Sequence, residues 1–419
     1  MTSARKNRGS SLAAPKDARH KWEFMARFRR HAFGWKTRPA ITRIKQAVAE
    51  IKKVARKDAM LAAEGAIAFL ERVSPAIEHV DGSSGSIGTA VNNAIGELVP
   101  IIAGAPTDEK TRDAWLERLW DAYQVDAIPY IESLDDCWGE LCGTKEIASA
   151  WADRLIGTVK LAWSPDPGLR GFFKGTTSCL SALVTAERHD EVSSLLELAP
   201  YSMWHYRQYG VKALSAKGKT AEALRYAEEG RGPNDSPVAI ARACEDVLLS
   251  AGLVDEAYRR FGLVANQGGT YLATFRAVSR RYPHRAASDV LADLVRTTPG
   301  DEGKWFAAAK DAGLHDEAIA LARRTPCDPR TLARAARDFA ENQPAFAVSA
   351  GVLALHWLVQ GHGYEITGAD VWEAYRSTLA AADRLGSTAD VKARIREMVA
   401  AEGVGERFVT KVLGRELGL

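Results

Sequence analysis

Apolar residues recur at helical spacing along most of the chain, and the departures from that period mark its organisation. Residues 1–20 carry Ser, Ala, Lys and Arg with no hydrophobic period, which predicts a disordered basic tail. The pattern then changes: Phe24, Phe28, His31 and Trp35 fall at i, i+4, i+7 and i+11, one face of a helix over 22–35, with Arg27, Arg29 and Arg30 on the other side. Ile41, Ile44, Val48, Ile51, Val54 and Ala55 continue the period, while Lys45, Lys52, Lys53, Arg56 and Lys57 face outward. Leu61 to Val73 forms a third apolar stretch, with a break or kink expected at Ser74-Pro75.

Asp81-Gly-Ser-Ser-Gly-Ser-Ile-Gly88 is the most loop-like segment, and helical patterns resume over 89–103, 109–123 and 145–163. Short runs of alternating β-branched and aromatic residues do not occur, so the expected class is all-α.

A repeat begins near residue 186. Gly218 precedes Glu222-Ala223, Gly252 precedes Glu256-Ala257 and Gly313 precedes Glu317-Ala318, each with the spacing Gly-x-x-x-Glu-Ala. His189-Asp-Glu-Val192 is a degenerate copy of His315-Asp-Glu-Ala318, and Arg285-Ala286 and Phe346-Ala347 fit more loosely. The marked positions 192, 223, 257, 286, 318 and 347 stand 31 residues apart on average, within the period range of stacked helical hairpins. Glycine reaches the left-handed conformation that ends a first helix. The acid then complements the dipole at the start of the second. Alanine lets two helix backbones approach, and Ala227 and Ala322 are expected to do the same one turn on.

These turns resemble those of tetratricopeptide repeats, with Phe261 matching that family's aromatic one turn later. The family's small residue midway along the first helix is missing; Val211, Glu245 and Phe306 stand near that place. The resemblance implies a right-handed α-solenoid of stacked helical hairpins, with an irregular period of about 31. In the N-terminal half, Trp35-Lys-Thr-Arg-Pro-Ala-Ile41, Asp81-Gly-Ser-Ser-Gly85 and Trp120-Asp-Ala-Tyr123 resemble an uncharacterised family of bacterial helical-repeat proteins related to SWIM zinc-finger proteins. The zinc finger itself is not implied, because Cys-x-Cys followed by Cys-x-His does not occur. The expected organisation is a tail (1–20), an N-terminal helical region with basic first helices (21–165), tetratricopeptide-like repeats (166–390) and closing helices (391–419).

Charge changes this picture at one end. The 419 residues hold 56 Lys+Arg and 53 Asp+Glu, net +3. Residues 1–60 alone hold 17 bases and 4 acids, net +13, which leaves −10 for the rest. Arg19, Lys21, Arg27, Arg29, Arg30, Lys36 and Arg38 are interleaved with Trp22, Phe24, Phe28, Phe33 and Trp35. Cations on phosphates and rings on bases would give salt-dependent binding of DNA or RNA. Three readings compete with that one: an aromatic face capping the first hairpin beneath solvated charges, an arm for a protein partner, and a membrane-surface helix. A second patch, Tyr201, Trp204, His205, Tyr206, Arg207 and Tyr209, is the densest exposed-looking group of aromatic and basic residues and is expected to line a groove.

Candidate chemistry adds little. Five cysteines form an odd, sparse set, as in reduced cytosolic proteins, and Cys137 and Cys142 read as free thiols. No apolar run reaches the ~18 residues of a membrane span, and a cytoplasmic location is expected. Gly82, Gly85 and Gly88 lack the preceding strand and following Lys-Ser/Thr of a phosphate loop; the segment is expected to cap a helix near Ile87 through its serines. His356 and His362 are wrongly spaced for two ligands on one helix face, so no metal, cofactor or catalytic set is expected. The expected function is a non-enzymatic scaffold or adaptor that binds a protein or peptide through the solenoid surface. The alternative is a nucleic-acid-associated protein anchored by residues 1–60.

Overall fold

Short polar side chains set where many of the helices begin. Asp58 accepts the amide of Leu61 at 2.9 Å, Asp108 that of Thr111 at 2.7 Å, and Asp328 that of Thr331 at 2.9 Å. Thr367 and Asp370 form a reciprocal capping box. The computed structural model describes residues 20–230, 232, 234–403 and 407–419, so the expected tail lies outside the described residues except for His20. Among the described residues every regular element is helical, and two compact units divide between Asp235 and Ser236.

The first unit contains α1 (Glu23–Arg27), α2 (Thr37–Ala55), α3 (Ala59–Ile77), α4 (Ser86–Ala103), α5 (Glu109–Gln124), α6 (Trp138–Cys142), α7 (Lys145–Ala162), α8 (Thr176–Thr185), α9 (His189–Glu197), α10 (Trp204–Ala216) and α11 (Thr220–Glu229). Helices α2, α3 and α4 pack on one another, and α8, α9, α10 and α11 each pack on the next. Their core runs from Phe24 and Phe69 to the rings of Trp120, Trp138 and Trp151, which meet at centroid distances of 5.1–5.7 Å.

One local expectation is corrected here and a second is met in part. Helix α3 does not break at Ser74-Pro75 but runs on to Ile77. Pro75 has no amide to give the carbonyl four residues back, and the carbonyls of Pro75 and Ala76, left free at the C-terminal end of α3, are taken by the amides of His31 (2.8 Å) and Phe33 (3.3 Å). At the glycine loop, Gly85 (φ 67°) is the cap residue of α4 and makes no side-chain cap; Ser84 Oγ accepts the Ser86 amide at 3.4 Å.

The second unit contains α12 (Pro237–Ser250), α13 (Val254–Ala257), a π turn (Tyr258–Gly262), α14 (Leu263–Ala265), α15 (Tyr271–Arg281), α16 (Ala287–Arg296), α17 (Phe306–Asp311), α18 (His315–Arg324), α19 (Pro329–Asp338), α20 (Pro344–Val359), α21 (Gly368–Arg384), α22 (Thr388–Ala400) and α23 (Phe408–Leu417). The π turn shifts the side chains of its helix, so Tyr258 is buried and Phe261 only half-buried. Val211, Glu245 and Phe306, standing where the tetratricopeptide family has a small residue, are all buried. Glu245 accepts from Tyr282 Oη and Asn266 Nδ2, both at 2.6 Å.

In each unit the glycine turns share one construction. Gly218, Gly252 and Gly313 have φ of 72°, 76° and 74°. The amide of the following residue donates to the carbonyl five residues back: Lys219 to Leu214 (3.0 Å), Leu253 to Leu248 (2.9 Å) and Leu314 to Ala309 (3.0 Å). Ala223, Ala257 and Ala318 are then fully buried. The degenerate copy obeys the same rule without glycine, since Glu187 takes φ 58° and Arg188 donates to Leu183 at 3.0 Å. One mark moves: Ala286 is exposed and Val290 is buried in the corresponding place. Gly386 (φ 65°) adds a turn of this kind, with Ser387 donating to Ala382 at 3.0 Å.

Candidate functional site

The basic arm is held against the first unit by its own aromatic rings. Helix α1, with five residues, is too short to persist alone. Glu50 of α2 caps it, accepting the amides of Glu23 (2.8 Å) and Phe24 (3.2 Å). Trp22, Phe24 and Phe28 are buried, and Phe69 of α3 meets Phe24 and Phe28 edge-on at 5.8 and 5.1 Å. Past α1 the chain turns at His31 (φ 55°) to reach the terminal carbonyls of α3. The expected helix over 22–35 therefore stops at Arg27, and Trp35 shares no face with Phe24 and Phe28. It stands 72% exposed.

Burial of the rings turns the arm's cations outward. Lys21, Arg29, Arg30, Lys36 and Arg38 are exposed, and their side chains make no ion pair or hydrogen bond among the described residues. Arg27 is partly engaged, 3.5 Å from Glu23 and 3.3 Å from Gln46. Arg19 lies outside the described residues. The arm's charges lead onto α2, where Lys45, Lys52, Lys53 and Arg56 border a cleft of about 510 Å³ against Asn93 and Glu97 of α4. Lys52 bonds Glu97 at 2.5 Å; Lys45, Lys53 and Arg56 are without such partners among the described residues. Their outward direction was legible in the period of α2. The seven-residue steps from Arg38 to Lys45 to Lys52 were the unused signal that these cations share one side of the helix.

The patch at 201–209 is not a single exposed surface. Trp204, Arg207 and Tyr209 are buried because α10 is packed by α8, α9 and α11. Arg207 lies under the Tyr226 ring, 4.7 Å from its centroid, and donates to the Tyr226 carbonyl. Tyr209 donates to Asp136 at 2.8 Å, and Tyr206 packs on Trp163 with centroids 5.1 Å apart. Tyr201 remains 67% exposed, and His205 is exposed with its Nε2 2.7 Å from Thr177 Oγ1. Only these two ends of the expected groove meet solvent freely.

A buried polar knot lies beside α10. The hydroxyl of Tyr123 sits between Asp135 Oδ2 (3.2 Å) and the Lys174 carbonyl (2.5 Å), and Asp135 Oδ1 has no partner. Burial, and then the charge of Asp136, push the Asp135 carboxyl up to about 7. With Asp135 protonated, its hydroxyl donates to Tyr123, which donates in turn to the carbonyl. Cys137 and Cys142 are free, and burial pushes their thiols up to about 11 and about 12; both are protonated at neutral pH. Among the described residues no group of three His, Cys, Asp or Glu is arranged to hold a metal ion, and no helix is long and apolar enough to cross a membrane. In comparison with known proteins, no family model and no curated protein matches this chain.

Proposed function

We propose that the chain is a non-enzymatic scaffold or adaptor that binds a protein or peptide partner along the surface of stacked, tetratricopeptide-like hairpins. One observation carries this reading: the same left-handed turn recurs at Glu187, Gly218, Gly252, Gly313 and Gly386. Each such turn closes one helix and starts the next, and a repeated hairpin adds outer surface with every copy. A cytoplasmic location belongs to the same reading. The test is site-specific photo-crosslinking from Tyr201 and from exposed positions of α11 and α18 in the intact chain. A protein or peptide crosslinked reproducibly at neighbouring positions is expected; recovery of nucleic acid alone would sink the reading.

A second reading, association with nucleic acid through residues 1–60, is favoured by the exposed cations that lack acidic partners. A mobility-shift assay should compare the full chain with a form beginning at residue 20. Cutting deeper removes Trp22, Phe24 and Phe28 from the core and confounds binding with folding. Absence of a salt-sensitive shift at low salt would end this reading.

A further inference from the structure

We propose that α2 binds the backbone of double-stranded nucleic acid along one cationic stripe, an inference that rests on the nucleic-acid reading above. Arg38, Lys45, Lys52 and Arg56 stand at i, i+7, i+14 and i+18, which places them on one side of the helix, with Lys53 on the flank, about 60–100° round from them. All five are exposed. At 1.5 Å per residue the stripe is about 27 Å long, the span of about eight phosphates of one strand. Ile44, Ala47 and Ile51 bury the other side of α2, so the helix cannot rotate its charges away from solvent.

The class of partner follows from what surrounds the stripe. Proteins that grip single strands stack successive bases on several exposed rings, but Trp22, Phe24 and Phe28 are committed to the core and Phe33 is half-buried, which leaves Trp35 as the one fully exposed ring among these five. An acidic helical peptide needs apolar pockets for its anchors. Between the lysines the cleft offers Ala49, with Ile44, Val48 and Ala94 already buried beneath. A duplex asks for neither, because it presents about one negative charge per 1.7 Å of axis to any row of cations of matching length.

The test is an anisotropy titration of the intact chain against a mixed-sequence duplex of about 25 base pairs, and against a single strand of that length, over a KCl series. The duplex is expected to bind more tightly. Lys45→Ala/Lys53→Ala/Arg56→Ala should flatten the slope of log K against log salt by about 2–3, and Lys45→Arg/Lys53→Arg should keep the native slope. Glu97→Gln, which frees Lys52, should steepen it by up to about 1. If the duplex binds but the triple variant leaves the slope unchanged, the stripe is wrong and the nucleic-acid reading stands. If neither nucleic acid binds at low salt, both fall. Preference for the single strand that Trp35→Ala abolishes, or tighter binding of an acidic amphipathic peptide that the triple variant weakens, would overturn the duplex assignment.

Discussion

Gly65 leaves the space that the indole of Trp22 fills. A Cβ built on Gly65 in α3 would lie 2.2 Å from Cζ2 of Trp22, so the arm docks because this helix position has no side chain. Gly65→Ala gains about 1 kcal/mol of helix propensity, against an overpacking cost of about 1–3 kcal/mol. The expected outcome is a lower unfolding midpoint with faster tryptic cleavage after Arg27, Arg29 and Arg30. Unaltered proteolysis would show that Trp22 does not hold the arm in place.

Ala257 is fully buried one turn beyond the left-handed Gly252. Ala257→Asp puts an unpaired carboxylate into that helix contact and should cost about 3–5 kcal/mol. Denaturant unfolding measures it. A midpoint equal to that of the parent chain would mean that Ala257 packs against nothing.

Glu187 holds a left-handed φ of 58° where the other turns of this construction place glycine. Its carboxylate pairs with Lys145 at 2.6 Å, but both side chains are more than half exposed and the pair contributes little. Glu187→Gly should therefore stabilise the first unit, by about 0.5–1 kcal/mol after the entropy of glycine is counted. Calorimetry that shows a loss instead would give the Lys145 pair more weight than its exposure suggests.

Asp135 makes stability depend on pH in the direction opposite to a salt-bridged carboxylate. Its folded carboxyl is raised to about 7 from an ordinary 3.8, so between these values the folded state keeps a proton that the unfolded chain releases. Its contribution is fully present below about 4 and is lost as pH rises through about 7. Asp370, held well below its ordinary value by Arg330, has the opposite sign and loses its contribution only in acid. Comparing parent and Asp135→Asn isolates the first effect. The variant should gain relative stability from pH 5 to pH 8, on the order of a few kcal/mol, and a constant difference across that range would place the proton elsewhere.

Much of the local architecture was legible in residue spacing. The outward lysines of α2 and the turns at Gly218, Gly252 and Gly313 follow from the helical period and from the conformational freedom of glycine, properties of a few adjacent residues. The loose mark at Ala286 failed because no glycine fixed its register, and buried Val290 takes that place four residues on. The end of α1 was hidden for another reason. His31 and Phe33 give their amides to Pro75 and Ala76, more than 40 residues away, and no local pattern records that bond.

The candidate site divides along the same line. By itself the sequence determined the helical class of the described residues, recurring hairpin turns and a strongly basic first 60 residues, because spacing, backbone conformation and charge are local quantities. Only the tertiary structure decided which of those residues a partner can reach. Trp22, Phe24 and Phe28 became core and Trp35 did not; Arg207 and Tyr209 went under α10's neighbours while Tyr201 stayed out. Burial is set by whichever distant element covers a face, and that cover moved the candidate surface from the arm's aromatic rings to the cations of α2.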